Sequence, residues 1–305
     1  MAGSKTGEII SSYDGLKLSL LWTEPEGEIK GIVQISHGMS ENKERYLPFM
    51  EYLAAHGYAA VIHDHRGHGK SVRDNQDLGY FYNGGRKGIT EDLYQVSCWI
   101  RERFGQIPLY LLGHSMGTLV VRNYLKCYDK MPQKVILTGP PSRNSGAGLG
   151  LLIAQAEKAI LGGRHRSREI HFMAFGPYAA RFSGRKNPSA WICSDPEVVE
   201  AYDQSPYCGF VFTADGFRGL FQLLREAYRA KGWKLENPDL PILFLGGQED
   251  PCIGGGRRFV KQLQFLKKVG YRKVTGKLYP GMRHEILNER GKEEVYANIL
   301  SYLEK

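Results

Sequence analysis

No apolar run in this 305-residue sequence approaches the roughly 20 residues a helix needs to span a bilayer. The opening Met-Ala-Gly-Ser-Lys-Thr-Gly-Glu lacks the apolar core of a secretory signal. Cysteine is scarce: Cys98, Cys127, Cys193, Cys208 and Cys252 make an odd, scattered five, with no C-x-x-C pair. This argues against a disulfide framework and suits free thiols in a reducing compartment. A cytoplasmic protein is expected. There is no zinc-finger spacing, no basic heptad helix and no aromatic RNA-binding signature. Nucleic acid is therefore not an expected partner, although the net charge is +9. The charge excess leaves anionic small molecules or a phospholipid surface open as partners. Repeats and low-complexity stretches are also missing. What is present is 42% hydrophobic and 24% charged residues, enough apolar surface for a sizeable core.

Periodicity divides the chain in three. Strand-like runs at 9–13 and 16–22 flank Asp14-Gly15, a hairpin signal. Then buried-strand runs alternate with amphipathic helices. Strands are expected at 31–36, 58–63, 109–112 and 135–138. Helices are expected around Tyr46, Phe49, Met50 and Leu53, around Leu93, Val96, Ile100 and Phe104, and over 118–128. Such alternation predicts an α/β fold, a mostly parallel central sheet flanked by helices. From 142 to 233 the strand runs vanish and helical pieces with Gly/Pro breaks replace them. Strands return at 241–245 and 274–279, with helices at 257–269 and 293–303. The expected organisation is a core of residues 1–141 and 234–305, with 142–233 inserted as a helical cap.

Gly113-His114-Ser115-Met116-Gly117 fits G-x-S-x-G, with a strand before and a helix after. The tight turn needs glycine at 113 and 117. It presents Ser115 as a nucleophile and aims the helix's first N–H groups at developing negative charge. An alcohol needs a base. In a turn of this kind the partners follow in the order serine, acid, histidine. Asp250 sits past the strand at 241–245, beside Pro251, and Glu249 is the rival acid. His284 sits past the last strand. Both fall at strand carboxyl ends, where α/β sites gather. His114 cannot be the base, because neighbours in such a turn point apart. The oxyanion donors are expected to be the N–H groups of Met116 and of Met39, the latter in the His37-Gly38-Met39 loop. Gly38 would let the backbone approach the substrate oxygen.

His63-Asp64-His65-Arg66-Gly67-His68-Gly69-Lys70-Ser71 is crowded with polar groups, but its spacing fits no common zinc pattern. It is expected to be a rigid loop under the site with Asp64 and Arg66 ion-paired. Neither a metal nor an organic cofactor is expected. Cys252 reads either as a thiol near the pocket or as a small buried apolar residue.

His37-Gly-Met, the loop from Asp64 to Ser71, Gly113-His-Ser-Met-Gly117, Asp250 and His284 together resemble the monoacylglycerol lipase and lysophospholipase branch of the α/β-hydrolases. Many relatives in that branch are labelled serine aminopeptidase-like. Ser194-Asp-Pro-Glu-Val-Val-Glu-Ala-Tyr202 and Ser205-Pro-Tyr resemble its bacterial members. The resemblance implies the α/β-hydrolase fold and a serine carboxylic-ester hydrolase working through an acyl-enzyme. The implied substrate is a monoacylglycerol, a lysophospholipid or a related single-acyl ester. Rival expectations are an amidase or aminopeptidase, acyl transfer on the same triad, and a non-catalytic ligand-binding protein. An aminopeptidase would need an amine-binding carboxylate such as Glu197, Glu200 or Asp203. In the cap, the apolar residues 149–154 and 159–161 either pack internally, line an acyl tunnel or touch a membrane or lipid aggregate. Arg164, Arg166, Arg168, Arg181, Arg185 and Lys186 form either a solvated face or a receptor for anionic head groups. The aromatic segment 210–228 suits a pocket wall.

Overall fold

The computed structural model describes residues 3–182 and 187–305. Its centre is an eight-stranded sheet: β1 (Lys5–Ile10), β2 (Lys17–Thr23), β3 (Gly31–Ser36), β4 (Tyr58–His63), β5 (Leu109–His114), β6 (Lys134–Thr138), β7 (Ile242–Gly247) and β8 (Val274–Tyr279). The spatial order is β1-β2-β4-β3-β5-β6-β7-β8. β1 pairs with β2, and β2 with β4, antiparallel; the remaining pairings are parallel. The central strands are short apolar runs buried along their whole length, because helices cover both faces. In the register Ser36 lies opposite Gly113 and His114 opposite Thr138. The carboxyl ends of β3, β5 and β6 therefore form one rim.

The first hairpin differs from expectation. β1 ends at Ile10, and residues 11–16 form the turn, closed by Gly15 N–H to Ser11 O and Ser11 N–H to Leu16 O. The Asp14-Gly15 pair sits inside a longer loop, because Ser11 is drawn off the strand to bond Asp92 at 2.6 Å.

Helices α1 (Leu47–Ala55), α2 (Gly85–Phe104) and α3 (Met116–Tyr128) connect the first parallel strands. Between β6 and β7 stand α4 (Ala147–Leu161), α5 (Arg168–Ala180), α6 (Pro196–Gln204) and α7 (Ala214–Ala227). Then come α8 (Gly256–Val269) and α9 (Lys292–Glu304). One core cluster joins α2, α3 and α7 with sheet residues such as Leu111, Val135 and Phe244. A second packs α1 and α9 against the sheet. The aromatic segment at 210–228 enters the first cluster: Phe212 and Phe217 are fully buried. The apolar residues of α4 divide. Ala147, Leu151 and Ala154 are buried, whereas Leu149 and Leu152 (64% exposed) and Ile160 (80%) face solvent. Among the described residues no helix is long and apolar enough to cross a membrane.

Candidate active site

β5 runs into α3 with only Ser115 between them. Its backbone lies at φ 51°, ψ −118°, a region that side chains disfavour. Three bonds hold it there. Ser115 N–H donates to Thr138 O at 2.9 Å, and Thr118 returns both its N–H (2.9 Å) and its hydroxyl (2.7 Å) to Ser115 O. The turn has no room for side chains. A Cβ on Gly117 would stand 1.9 Å from Ser36 O, and one on Gly113 would stand 2.8 Å from Gly117 O. Ser115 Oγ is lifted off the end of the sheet as a result.

Two further strand ends bring the partners. His284, past β8, places Nε2 2.8 Å from Ser115 Oγ and Nδ1 2.9 Å from Asp250 Oδ2. The geometry fits one tautomer: Nδ1–H donates to the carboxylate, leaving the Nε2 lone pair for the serine hydroxyl. Asp250 is fully buried and accepts Cys252 N–H at 2.7 Å on its other oxygen. Glu249 points elsewhere: its side chain is 49% exposed and its carboxylate lies 3.9 Å from Arg283. Burial depresses the pKa of His284, but the charge and hydrogen bond of Asp250, with Glu285 and Glu41 behind, outweigh it and raise the pKa above 6.5. The indole of Trp191 covers the imidazole, centroids 5.0 Å apart. His114 lies beside His284 but turns its Nδ1 to Thr138 Oγ1 at 3.1 Å.

The loop after β3 leans on the serine. A Cβ on Gly38 would lie 3.2 Å from Ser115 Cβ. Gly38 N–H is engaged by Glu41 Oε1. His37 bonds Gly38 O through Nδ1 at 2.8 Å and accepts His65 N–H through Nε2 at 2.9 Å, which pins the loop from below. Among the described residues Met39 N–H has no acceptor. Met116 opens α3, so its N–H has no intrahelical acceptor either. Two backbone donors, one next to Gly38 and one next to Ser115 in the chain, are thus free.

The polar loop after β4 departs from expectation in its pairing. Asp64 and Arg66 do not bond each other, because each is taken by partners from other segments. Asp64 accepts Lys43 Nζ (2.6 Å) and the N–H groups of Lys43 and Lys70 (both 2.9 Å). Arg66 turns to Asp92 (2.7 Å) and Asp14 (2.8 Å). Both networks are buried and underpin the site. The histidines of this stretch pack on His37 and on one another, tilted at 4.4 Å for His37–His65 and edge to face at 4.7 Å for His63–His65. Among the described residues, one set of three or more His, Cys, Asp or Glu groups has its ligand atoms within 4.8 Å of one another: Asp250, Cys252 and His284. Cys252 is buried, and burial together with Asp250 pushes its thiol well above the usual range. All five cysteines are free thiols.

The basic group of the 142–233 segment is not one solvated face. Arg164 pairs with Asp77 at 2.7 Å, and Arg166 donates to the carbonyls of Gln76, Leu78 and Val211. These arginines fasten the segment to the loop before α2. Arg185 and Lys186 lie outside the described residues. Glu197, Glu200 and Asp203 are exposed on α6.

Sequence reasoning missed Glu41, Arg45 and Glu285. Arg45 forks onto Glu285 at 2.7 and 2.6 Å and reaches Glu41 at 2.7 Å. Glu41 was discoverable, three residues past Gly38. No spacing announces a partner 240 residues away.

Residues 27–291 match the family model described as serine aminopeptidase, S33. The chain is 25% identical to a monoacylglycerol lipase of Mycolicibacterium smegmatis over 292 residues, covering 93% of this chain and 91% of the relative. It is 32% identical to the phospholipase YtpA of Bacillus subtilis over 279 residues, covering 90% and 96%. Its backbone follows a thermostable carboxyl esterase from Bacillus coagulans, solved in complex with glycerol, with a TM-score of 0.91 at 25% identity, covering 100% of this chain and 98% of that one.

Proposed function

Since the chain belongs to the serine aminopeptidase, S33 family, in the monoglyceride lipase branch of the α/β-hydrolases, we propose that it cleaves single-acyl esters through an acyl-enzyme on Ser115. That it is a serine ester hydrolase follows from its relatives. The acyl-enzyme and the substrate class are the present reading. The observation that carries it is the continuous relay from Asp250 through His284 to Ser115, with links of 2.9 and 2.8 Å.

In this mechanism His284 Nε2 takes the Ser115 proton as Oγ attacks the ester carbonyl. The oxyanion that forms is held by the N–H groups of Met39 and Met116, both otherwise unbonded. Asp250 fixes the imidazole and stabilises its charged form. His284 then protonates the leaving alcohol, and water activated by the same nitrogen releases the acid. We read residues 142–233 as a cap, with Trp191 from that segment roofing His284. Its exposed apolar side chains suit contact with lipid aggregates. An aminopeptidase needs a carboxylate aimed at the substrate amine. The α6 carboxylates are exposed instead, and Asp203 is bonded by Asn187 and Ser189. This supports the ester reading.

The test compares wild type with Ser115→Ala on p-nitrophenyl esters of increasing chain length, a monoacylglycerol and a lysophospholipid. Turnover should fall on the order of 10⁶-fold in the variant, and labelling of wild type by an active-site phosphonate should vanish with it. A variant that keeps full activity would overturn the assignment.

A further inference from the structure

Glu285 follows His284 in sequence, and Arg45 belongs to a short 3-10 helix (Lys43–Tyr46) just past the Met39 loop. The two form a bidentate pair, Nη1 to Oε1 at 2.7 Å and Nη2 to Oε2 at 2.6 Å. Glu285 is 5% exposed and the Arg45 side chain 14%. Arg45 also holds Glu41, whose other oxygen accepts Tyr46 OH at 2.9 Å and Gly38 N–H. An unbroken chain of bonds thus runs from the backbone of the base, through Glu285, Arg45 and Glu41, to the backbone N–H next to Met39. Asn288 Nδ2 (3.1 Å) and the contact of Glu285 N–H with Ile192 O (2.7 Å) brace its far end.

We propose that Glu285, clamped by Arg45, is a positioning residue for ester cleavage: it locks the His284 turn to the Met39 loop, so that base and oxyanion donors hold their separation as one unit. This rests on the reading of Ser115 and His284 as nucleophile and base. A catalytic array must be held within about half an ångström, and buried bidentate bonds do that where a single contact would not.

The clamp also sets the charge around the base. His284 is faced by Asp250 and Cys252 from the turn after β7, by His114 from β5, by Glu41 and Arg45 from beyond β3, and by Glu285 on its own turn. Burial keeps His114 neutral, with a pKa of about 3. Behind the imidazole, two buried carboxylates share one guanidinium. Their surplus negative charge favours the imidazolium that forms during attack.

The experiment takes Glu285→Gln, Glu285→Asp and Arg45→Lys through full pH profiles of kcat/KM on a soluble p-nitrophenyl ester, with melting curves alongside. Glu285→Gln should move the acid-limb pKa down by about half a unit to one unit and lower kcat about tenfold, with little change in KM. Glu285→Asp keeps the charge and should restore the pKa but not kcat. Arg45→Lys keeps the charge and loses the fork, so kcat should fall. A Glu285→Gln enzyme that melts earlier but keeps the wild-type pKa and kcat gives Glu285 a stability role alone and overturns the proposal. Failure of the underlying reading is distinguishable: there Ser115→Ala itself would stay active.

Discussion

A single methyl group is the sharpest probe of the turn at Ser115. Gly117→Ala would drive a Cβ to 1.9 Å from Ser36 O and 2.7 Å from His37 O. Both are backbone atoms that cannot step aside, so α3 must withdraw from β3. The cost should be about 3 kcal/mol or more, at the upper end of overpacking in a filled core. Activity should fall with it, since the same shift moves Met116 N–H. Gly148→Ala in α4 is the control, because an added Cβ there meets nothing within 4 Å. It should stabilise by up to about 1 kcal/mol, as alanine does in a helix. Urea unfolding of the two variants checks both signs. Equal effects would mean that the tightness of the turn does not constrain the fold. At this scale the sequence was informative. Strand–Gly-x-Ser-x-Gly–helix demands a specific backbone, and the order serine, acid, histidine named three side chains that the fold brings within hydrogen-bond reach. The close approach of the Gly38 loop to Ser115 was legible for the same reason. The pairing of Asp64 and Arg66 was not, because two residues apart on a loop says nothing about side-chain direction.

Helices α4 and α5 expose Leu149, Leu152, Ile160, Leu161, Phe172 and Met173, each more than half accessible. Elsewhere among the described residues large exposed apolar side chains are scattered singly, at Ile10, Tyr13 and Val260. Concentration on two neighbouring elements is what a lipid-contacting face requires. Each such side chain gains about 1.5–3 kcal/mol on leaving water completely. Ile160→Ser with Phe172→Ser should therefore weaken binding to phosphatidylglycerol vesicles at least tenfold. Cleavage of monoacylglycerol carried in those vesicles should fall in parallel. Turnover of soluble p-nitrophenyl acetate should hold within about twofold, because neither residue touches the triad. Unchanged vesicle sedimentation would remove the lipid-contact reading. The pattern of α4 in sequence fitted packing and exposure equally well. Only the position of α7, against which Leu151 and Ala154 pack, decides which side is buried. The strands Gly31–Ser36, Tyr58–His63 and Val274–Tyr279 were legible to the residue, the first two because burial on both faces leaves an unbroken apolar run. The edge strand Lys5–Ile10 has no buried residue and only its last two side chains are large and apolar, so it carries no such signal.

Across the whole molecule, distant segments are joined by buried polar groups that sequence alone cannot pair, such as Arg45 with Glu285 and Arg66 with Asp92. The same interior holds five buried histidines whose charging is opposed by the fold, a cost that grows as pH falls. Burial, followed by the nearby cations Lys43 and Arg66, lowers the pKa of His63 to about 3, and burial lowers those of His68 and His114 to about 4 and 3. His37 and His65 are likewise held well below 6.5. Below pH 6.5 the unfolded chain binds a proton at each of these sites while the folded chain does not. Stability is thus lost as pH falls, at about 1.4 kcal/mol per pH unit for each group, until its folded pKa is reached. Asp64 and Asp92 act in the opposite direction. Burial raises their pKa values, so the fold takes up protons there, and the total slope is a net of the two. A difference measurement isolates one site. Neither ring nitrogen of His63 has a hydrogen-bond partner, so phenylalanine can replace it without breaking a bond. His63→Phe should gain on wild type by about 1.4 kcal/mol for every unit from pH 6.5 down to about pH 4. Urea midpoints of the two proteins, measured at half-unit steps, give that difference directly. Parallel curves would mean that His63 binds its proton as readily in the fold as in the unfolded chain, and a widening gap would locate part of the protein's acid sensitivity in the buried histidine cluster around His65.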